Sequence, residues 1–168
     1  MRLTTRTNLA LRTLMFCAVN RDKLVRKQDA ARAINASENH LAQVINKLGQ
    51  DGFITTLRGR HGGFHLARDP GTISVGEVFR SFEASLPFIE CFSDDNTCPL
   101  KAHCVMRPHL SRAVEAFYSA LDDLYLSALV NCNSGLEALL AIDGPALPGR
   151  CQPHSATKHP AITPEYAV

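Results

Sequence analysis

The six residues Arg58-Gly59-Arg60-His61-Gly62-Gly63 constrain this 168-residue chain more than any others. Three glycines lie between two short apolar-rich runs, 53–57 and 64–67, which is the pattern of a β-hairpin with a cationic tip. The glycines supply the backbone dihedrals such a tip requires. Directly upstream, Ser37 is a good N-cap, and Leu41, Val44, Ile45 and Leu48 recur on one helical face. The other face shows only hydrogen-bonding groups: Asn39, His40, Gln43, Asn46, Lys47 and Gln50. Gly52 ends the helix. Before it, Leu11, Leu14, Met15 and Ala18 mark a buried face over 5–19. A shorter helix is expected over 26–34, with Val25 packing at its entrance and Asn35-Ala36-Ser37 as a turn. Helix, turn, polar-faced helix and basic hairpin follow the order of a winged helix-turn-helix. A helical bundle with a solvated polar face would share the helices, but the basic hairpin tip would go unexplained.

The charge is distributed to match. Net charge is only +2, yet residues 1–70 hold twelve Lys/Arg against five Asp/Glu, a balance of +7. Residues 71–168 hold six against eleven, a balance of −5. A basic front half is suited to a polyanion. Asn39, His40 and Gln43 can donate and accept at base edges in a major groove, next to Ser37 at the helix start. Arg58, Arg60 and His61 suit phosphate or a minor groove. Lys47, Arg26 and Lys27 would fix the domain on backbone phosphates without reading sequence. Double-stranded DNA is thus the expected partner.

Further along, Val75, Val78, Phe79 and Phe82 give a helix over 74–83, and an irregular segment fills 84–107. A long helix is expected from Pro108, with Leu110, Val114, Phe117, Leu121, Leu124 and Ala128 at alternating steps of four and three. That seam has the period of a coiled coil, which points to a homodimer contact, although it could also face the chain's own core. Five of the nine prolines crowd into 144–168, a composition that cannot bury a core and reads as a disordered tail. The chain therefore divides into a DNA-binding unit at 1–83, a loop at 84–107, a dimerisation helix region at 108–143 and the tail. The fold class is mainly α.

No apolar run is long enough to span a membrane, and Arg6 and Arg12 interrupt the N-terminal apolar stretch, so a cytoplasmic protein is expected. In that compartment six cysteines should not pair as structural disulfides. Three of them, Cys91, Cys98 and Cys104, share the polar loop with Asp94, Asp95 and Asn96. Their spacing is loose for zinc but compatible with an iron–sulfur cluster, whose thiolates reach different irons of a larger object. Three thiolates leave one iron for a different ligand or for solvent. Cys17 falls on an apolar helix stripe and reads as core. No Ser/His/Asp or paired-carboxylate constellation indicates an enzyme.

Met1-Arg2-Leu3-Thr4 opening a helix, the basic hairpin at 58–63 and the cysteines at 91, 98 and 104 together resemble one family. It is that of the bacterial winged-helix iron–sulfur transcriptional regulators, which includes IscR, NsrR and RirA. The resemblance runs from residue 1 to about residue 140. It implies a homodimeric repressor with one cluster per protomer, four-iron rather than two-iron, held by the three cysteines near the dimer helices. The segments Asn8-Leu9-Ala10-Leu11-Arg12 and Ala36-Ser37-Glu38-Asn39-His40-Leu41 look most like the NsrR type. That type implies nitric-oxide sensing, with release from the operator on cluster nitrosylation. The alternative is a RirA-type regulator responding to iron or cluster status. Arg107 stands where IscR-like members have a histidine, and Asn8 stands where NsrR-like members often have a ligating aspartate. The fourth ligand is therefore open among Asn8, His103 and His109.

Overall fold

Thr4 begins the fold: its hydroxyl accepts a hydrogen bond from the Thr7 amide at 3.2 Å and caps helix α1, Thr5–Val19. This helix is the axis of the molecule, with Leu9, Ala10, Leu14, Phe16, Cys17 and Ala18 all buried. It packs against α2 (Lys27–Ala33), α3 (Glu38–Gln50), α4 (Val75–Glu83), α6 (Leu126–Val130) and α7 (Ser134–Leu140). The computed structural model describes residues 4–60, 62–83, 92–93 and 96–142. Cys91, His61 and the tail at 144–168 lie outside them.

The expected helix–turn–helix is present. Ile34 and Ala30 close the end of α2, and Asn35 turns the chain at φ 52°, a left-handed conformation that asparagine tolerates better than most residues. Ser37 then caps α3, and Leu41, Val44, Ile45 and Leu48 are its buried face. Gly52, at φ 75°, ends that helix. Strands β1 (Ile54–Leu57) and β2 (Gly63–Leu66) pair antiparallel, with Ile54 opposite Leu66 and Leu57 opposite Gly63. Strand β1 starts one residue later than expected and ends where expected, and β2 lies one residue earlier than expected. Val25 adds a short third pairing, exchanging backbone hydrogen bonds of 3.0 and 2.9 Å with Phe64. Gly63 is needed for this approach, since a Cβ there would lie 2.5 Å from the Val25 carbonyl oxygen.

The C-terminal half departs from expectation. The long helix, α5, spans Met106–Asp122 and stops there, so Ala128 is not part of it. The reason lies in the backbone: the Val75 amide donates to Leu124 O at 2.7 Å and the Leu126 amide to Ile73 O at 2.9 Å. These bonds draw residues 124–126 into an extended pairing with the start of α4, which a continuous helix could not make. The chain then returns as α6 and α7, placing Leu126, Val130 and Leu140 in the core beside α1. Buried Asn20 secures the return, donating to Leu140 O at 2.9 Å and accepting from the Ile142 amide at 3.1 Å. Val114, Phe117 and Leu121 of the seam pack on Val75, Phe79 and Tyr118, so the seam meets the chain's own α4. Phe79 and Phe117 set their rings 5.8 Å apart there.

Candidate nucleic-acid interface and cysteine loop

On α3, Asn39, His40 and Gln43 are exposed and share the face opposite the core. Ser37 is exposed too, but its Oγ accepts the His40 amide at 3.3 Å, so its established role is the cap. Lys47 is half-buried and donates to Asp51 at 2.8 Å, and Lys27 pairs with Glu38 at 3.1 Å. Exposed pairs of this kind are weak and can be exchanged for a phosphate. Arg58 and Arg60 are exposed at the hairpin tip, and neither joins an ion pair among the described residues. The arrangement offers a polar helix face and two free guanidinium groups on one scaffold, the equipment for a groove and its phosphates.

Spacing along the chain did not indicate three further connections. Arg6 of α1 donates from Nη2 to Gln43 Oε1 at 3.2 Å. Ser81 of α4 donates to Asp51 at the end of α3, tying these helices together. Glu83, the last residue of α4, accepts from the Thr4 amide at 2.9 Å, from Thr4 Oγ1 at 2.8 Å and from buried Thr7 Oγ1. Burial pulls the Glu83 carboxyl upward, but the hydrogen bonds from Thr7 and Thr4 outweigh it and hold it below its ordinary value. The pattern Thr4-x-x-Thr7 signals a helix start; nothing local signals a carboxylate that is 79 positions away.

Arg80 anchors α5 to α4. It donates to both carboxylate oxygens of Asp122 and to Glu115 at 2.9 Å, and its guanidinium lies 5.2 Å from the Tyr118 ring centre. Asp122 and then Glu115 push the Arg80 guanidinium further up, and Arg80 in turn holds the Asp122 carboxyl down.

Of the cysteine set, Cys98 and Cys104 are free, half-buried thiols on either side of a 3-10 turn, Lys101–His103. Asn96 Oδ1 accepts the Cys98 amide at 2.8 Å and the Lys101 amide donates to Cys98 O at 3.2 Å, which orders the stretch between them. Two accessible thiols on an ordered turn fit the soft thiolate ligation that an iron–sulfur cluster requires. No group of three or more candidate ligands assembles among the described residues. His103 is exposed in the turn. His109 Nδ1 lies 2.8 Å from Arg112 Nη2, and a guanidinium can only donate, so this ring nitrogen is an occupied acceptor. Asn8 is exposed on α1. Cys17 is buried and burial pushes its thiol far up, as a core residue requires. Cys132, at φ 57°, is disulfide-bonded, against the expectation of unpaired cysteines.

Residues 3–132 match the model of the Rrf2 family, described as iron-dependent transcriptional regulators. The chain is 39% identical over 142 residues to the HTH-type transcriptional regulator NsrR of Geobacillus kaustophilus, covering 83% of this chain and 97% of that one. It is 36% identical over 149 residues to protein aau3 of Rhizobium meliloti, covering 88% and 97% of the two chains. Among solved structures it is similar to T. potens IscR, with a TM-score of 0.60 and 25% identity over 77% of this chain and 86% of that one. The chain belongs to the Rrf2 family and is a transcriptional regulator, not an enzyme.

Proposed function

We propose that this regulator is a cytoplasmic, homodimeric repressor that holds its operator while Cys91, Cys98 and Cys104 carry an iron–sulfur cluster, and releases it when nitric oxide reacts with that cluster. The observation that carries the reading is the 39% identity to a protein named NsrR across nearly its whole length, in a chain that carries Cys91, Cys98 and Cys104 in one segment. When bound, the cluster would supply iron with incomplete thiolate ligation, which nitric oxide can attack.

The chain's own residues supply the transmission. The segment 84–105 follows α4, which ends at Glu83, and leads into α5, which begins at Met106. Arg80 holds those two helices together, Glu83 ties α4 to the start of α1, and Ser81 ties it to the end of α3. A cluster held by that segment would therefore support the helix that positions the reading face. A loop without its framework would strain the Glu83 and Ser81 contacts first, since they are nearest the loop. With two reading helices in a dimer, a small change of spacing would lose one half-site, and discrimination of ~1–3 kcal/mol per base contact with it.

The description of the family as iron-dependent favours a second reading, release on loss of iron. One anaerobic experiment separates the two. The purified protein should be brown, and the Cys98→Ala variant should be colourless. In gel shifts, a few equivalents of nitric oxide per cluster should abolish binding. Binding that survives nitric oxide but collapses with an iron chelator would replace the nitric-oxide reading by the iron reading. A brown, cluster-loaded Cys98→Ala protein would remove the ligand assignment.

A further inference from the structure

Arg6 reaches from α1 to the reading face of α3 and ends on the carbonyl oxygen of Gln43, 3.2 Å away. Both side chains are exposed, so neither is needed to fill the core. We infer that Arg6 is a specificity-determining positioning residue: it fixes the carboxamide of Gln43 so that its N–H donors face the DNA.

The chemistry follows from what each group can do. A glutamine amide can flip by half a turn and present either an acceptor or donors, and the two choices read different base edges. A guanidinium has donors only. It can bind Gln43 Oε1, whereas a flipped amide would set donor against donor. Arg6 therefore selects one of two otherwise similar orientations. With Oε1 turned to Arg6, Nε2 is the atom presented. It can donate to guanine N7 or O6, adenine N7 or thymine O4, while cytosine offers only its N4 donor in the major groove. The base facing Gln43 should accordingly be one with an acceptor, and cytosine should be rejected there. The Gln43 bond uses one of five guanidinium donors. Arg6 can therefore also meet a phosphate, and the test must separate the two roles. The inference rests on the proposal that α3 reads a major groove.

The test uses the full-length wild-type chain, purified anaerobically, with its Arg6→Ala, Gln43→Ala, double and Arg6→Lys variants. Each selects from a pool of random-sequence DNA duplexes. Wild type should recover one motif that excludes cytosine at a single position per half-site. Arg6→Ala and Gln43→Ala should each relax that position by about tenfold, and the double variant should be no more relaxed than Gln43→Ala alone. Arg6→Lys, also a pure donor, should restore part of the discrimination. Thermal unfolding by circular dichroism should be the same for all five proteins. If Arg6→Ala instead weakens every sequence equally and lowers the salt dependence, Arg6 is a phosphate contact and the inference is wrong. If Gln43→Ala recovers the same motif as wild type with no position relaxed, α3 can still read DNA through other side chains and the inference about Arg6 falls alone. If wild type recovers no motif, the DNA-reading proposal itself falls.

Discussion

Helices α3 and α5 are both amphipathic, but they are supported in opposite ways. On α3, Leu41, Val44, Ile45 and Leu48 are all sunk in the main core, and the polar face stands on a finished platform. On α5, only Tyr118 of seventeen residues is buried. Val114, Phe117 and Leu121 are half-covered by α4, and Leu100, Val105 and Met106 just before or at its start are widely exposed. A reading face must hold its geometry, which only a packed support provides. Large apolar side chains left in water where a helix begins suit a second partner. The contrast fits the proposal that the half carrying α3 reads DNA and the half carrying α5 assembles, and it can be tested one step at a time.

The largest effect should come from the platform. Phe53 links the end of α3 to the hairpin and is 1% exposed. Phe53→Ala should cost about 3–5 kcal/mol in urea unfolding at fixed protein concentration. Met106→Ser, at a side chain 62% exposed, should cost much less, but should weaken self-association in sedimentation equilibrium. Equal losses of stability with unchanged association would erase the distinction between the two helices.

A smaller effect tests how α5 is attached. A Cβ on Gly76 would lie 2.1 Å from Asp122 Oδ1 and 2.9 Å from the Tyr118 carbonyl oxygen. The carboxylate could swing away, but it would abandon Arg80, and the backbone oxygen cannot move alone. Gly76→Ala should therefore cost roughly 1–3 kcal/mol, the range for overpacking. Hydrogen exchange should quicken in α5 while α1 and α3 keep their protection. Loss of protection throughout would mean that the two halves unfold as one unit.

Smaller still is the contribution of the hairpin tip. Replacing both Arg58 and Arg60 by Ala should leave the fold unchanged. It should reduce the slope of log affinity against log salt by about two if each meets one phosphate. Fluorescence anisotropy with the selected duplex over a range of salt concentrations measures that slope. An unchanged slope would remove the tip from the interface.

Much of the fold of residues 4–83 was legible because its signals are local. Ser37 caps, Gly52 stops, and the apolar residues between them repeat at one helical period, so α3 could be placed before any contact was known. The same logic overextended α5, because Leu124 and Ala128 continue the seam's spacing. What ends the helix is pairing of residues 124–126 with 73–75, and no local pattern announces a partner fifty residues away. The packed return of α6 and α7 was missed for that reason, and so were the long-range contacts made by Arg6, Ser81 and Glu83. The cysteines were grouped as a set by residue type and loop composition alone. Their assembly depends on Cys91, which lies outside the described residues.

The smallest expected effect, and the most specific, concerns Glu83, where the loop meets the platform. Its carboxylate accepts from Thr4 and Thr7 and its folded pKa lies below its ordinary value of about 4.3. Above that ordinary value the group is ionised in both folded and unfolded chains, and its stabilisation is fully present. As the pH falls through the ordinary value, the unfolded chain takes up a proton that the folded chain does not, so stability drops. Below the folded value the contribution is gone. Glu83→Gln has no such titration. The difference in urea midpoint between wild type and Glu83→Gln should stay constant from about pH 7 to 5 and shrink below about pH 4. Asp122 is also held low, by Arg80, so both proteins will lose stability in acid, and only their difference isolates the Glu83 contact. Thr7→Val removes one donor and should move the change in that difference to higher pH. A difference that ignores pH would mean that the carboxylate is not held at the start of α1. The path from the loop to the reading half would then run through Ser81 and Asp51 alone.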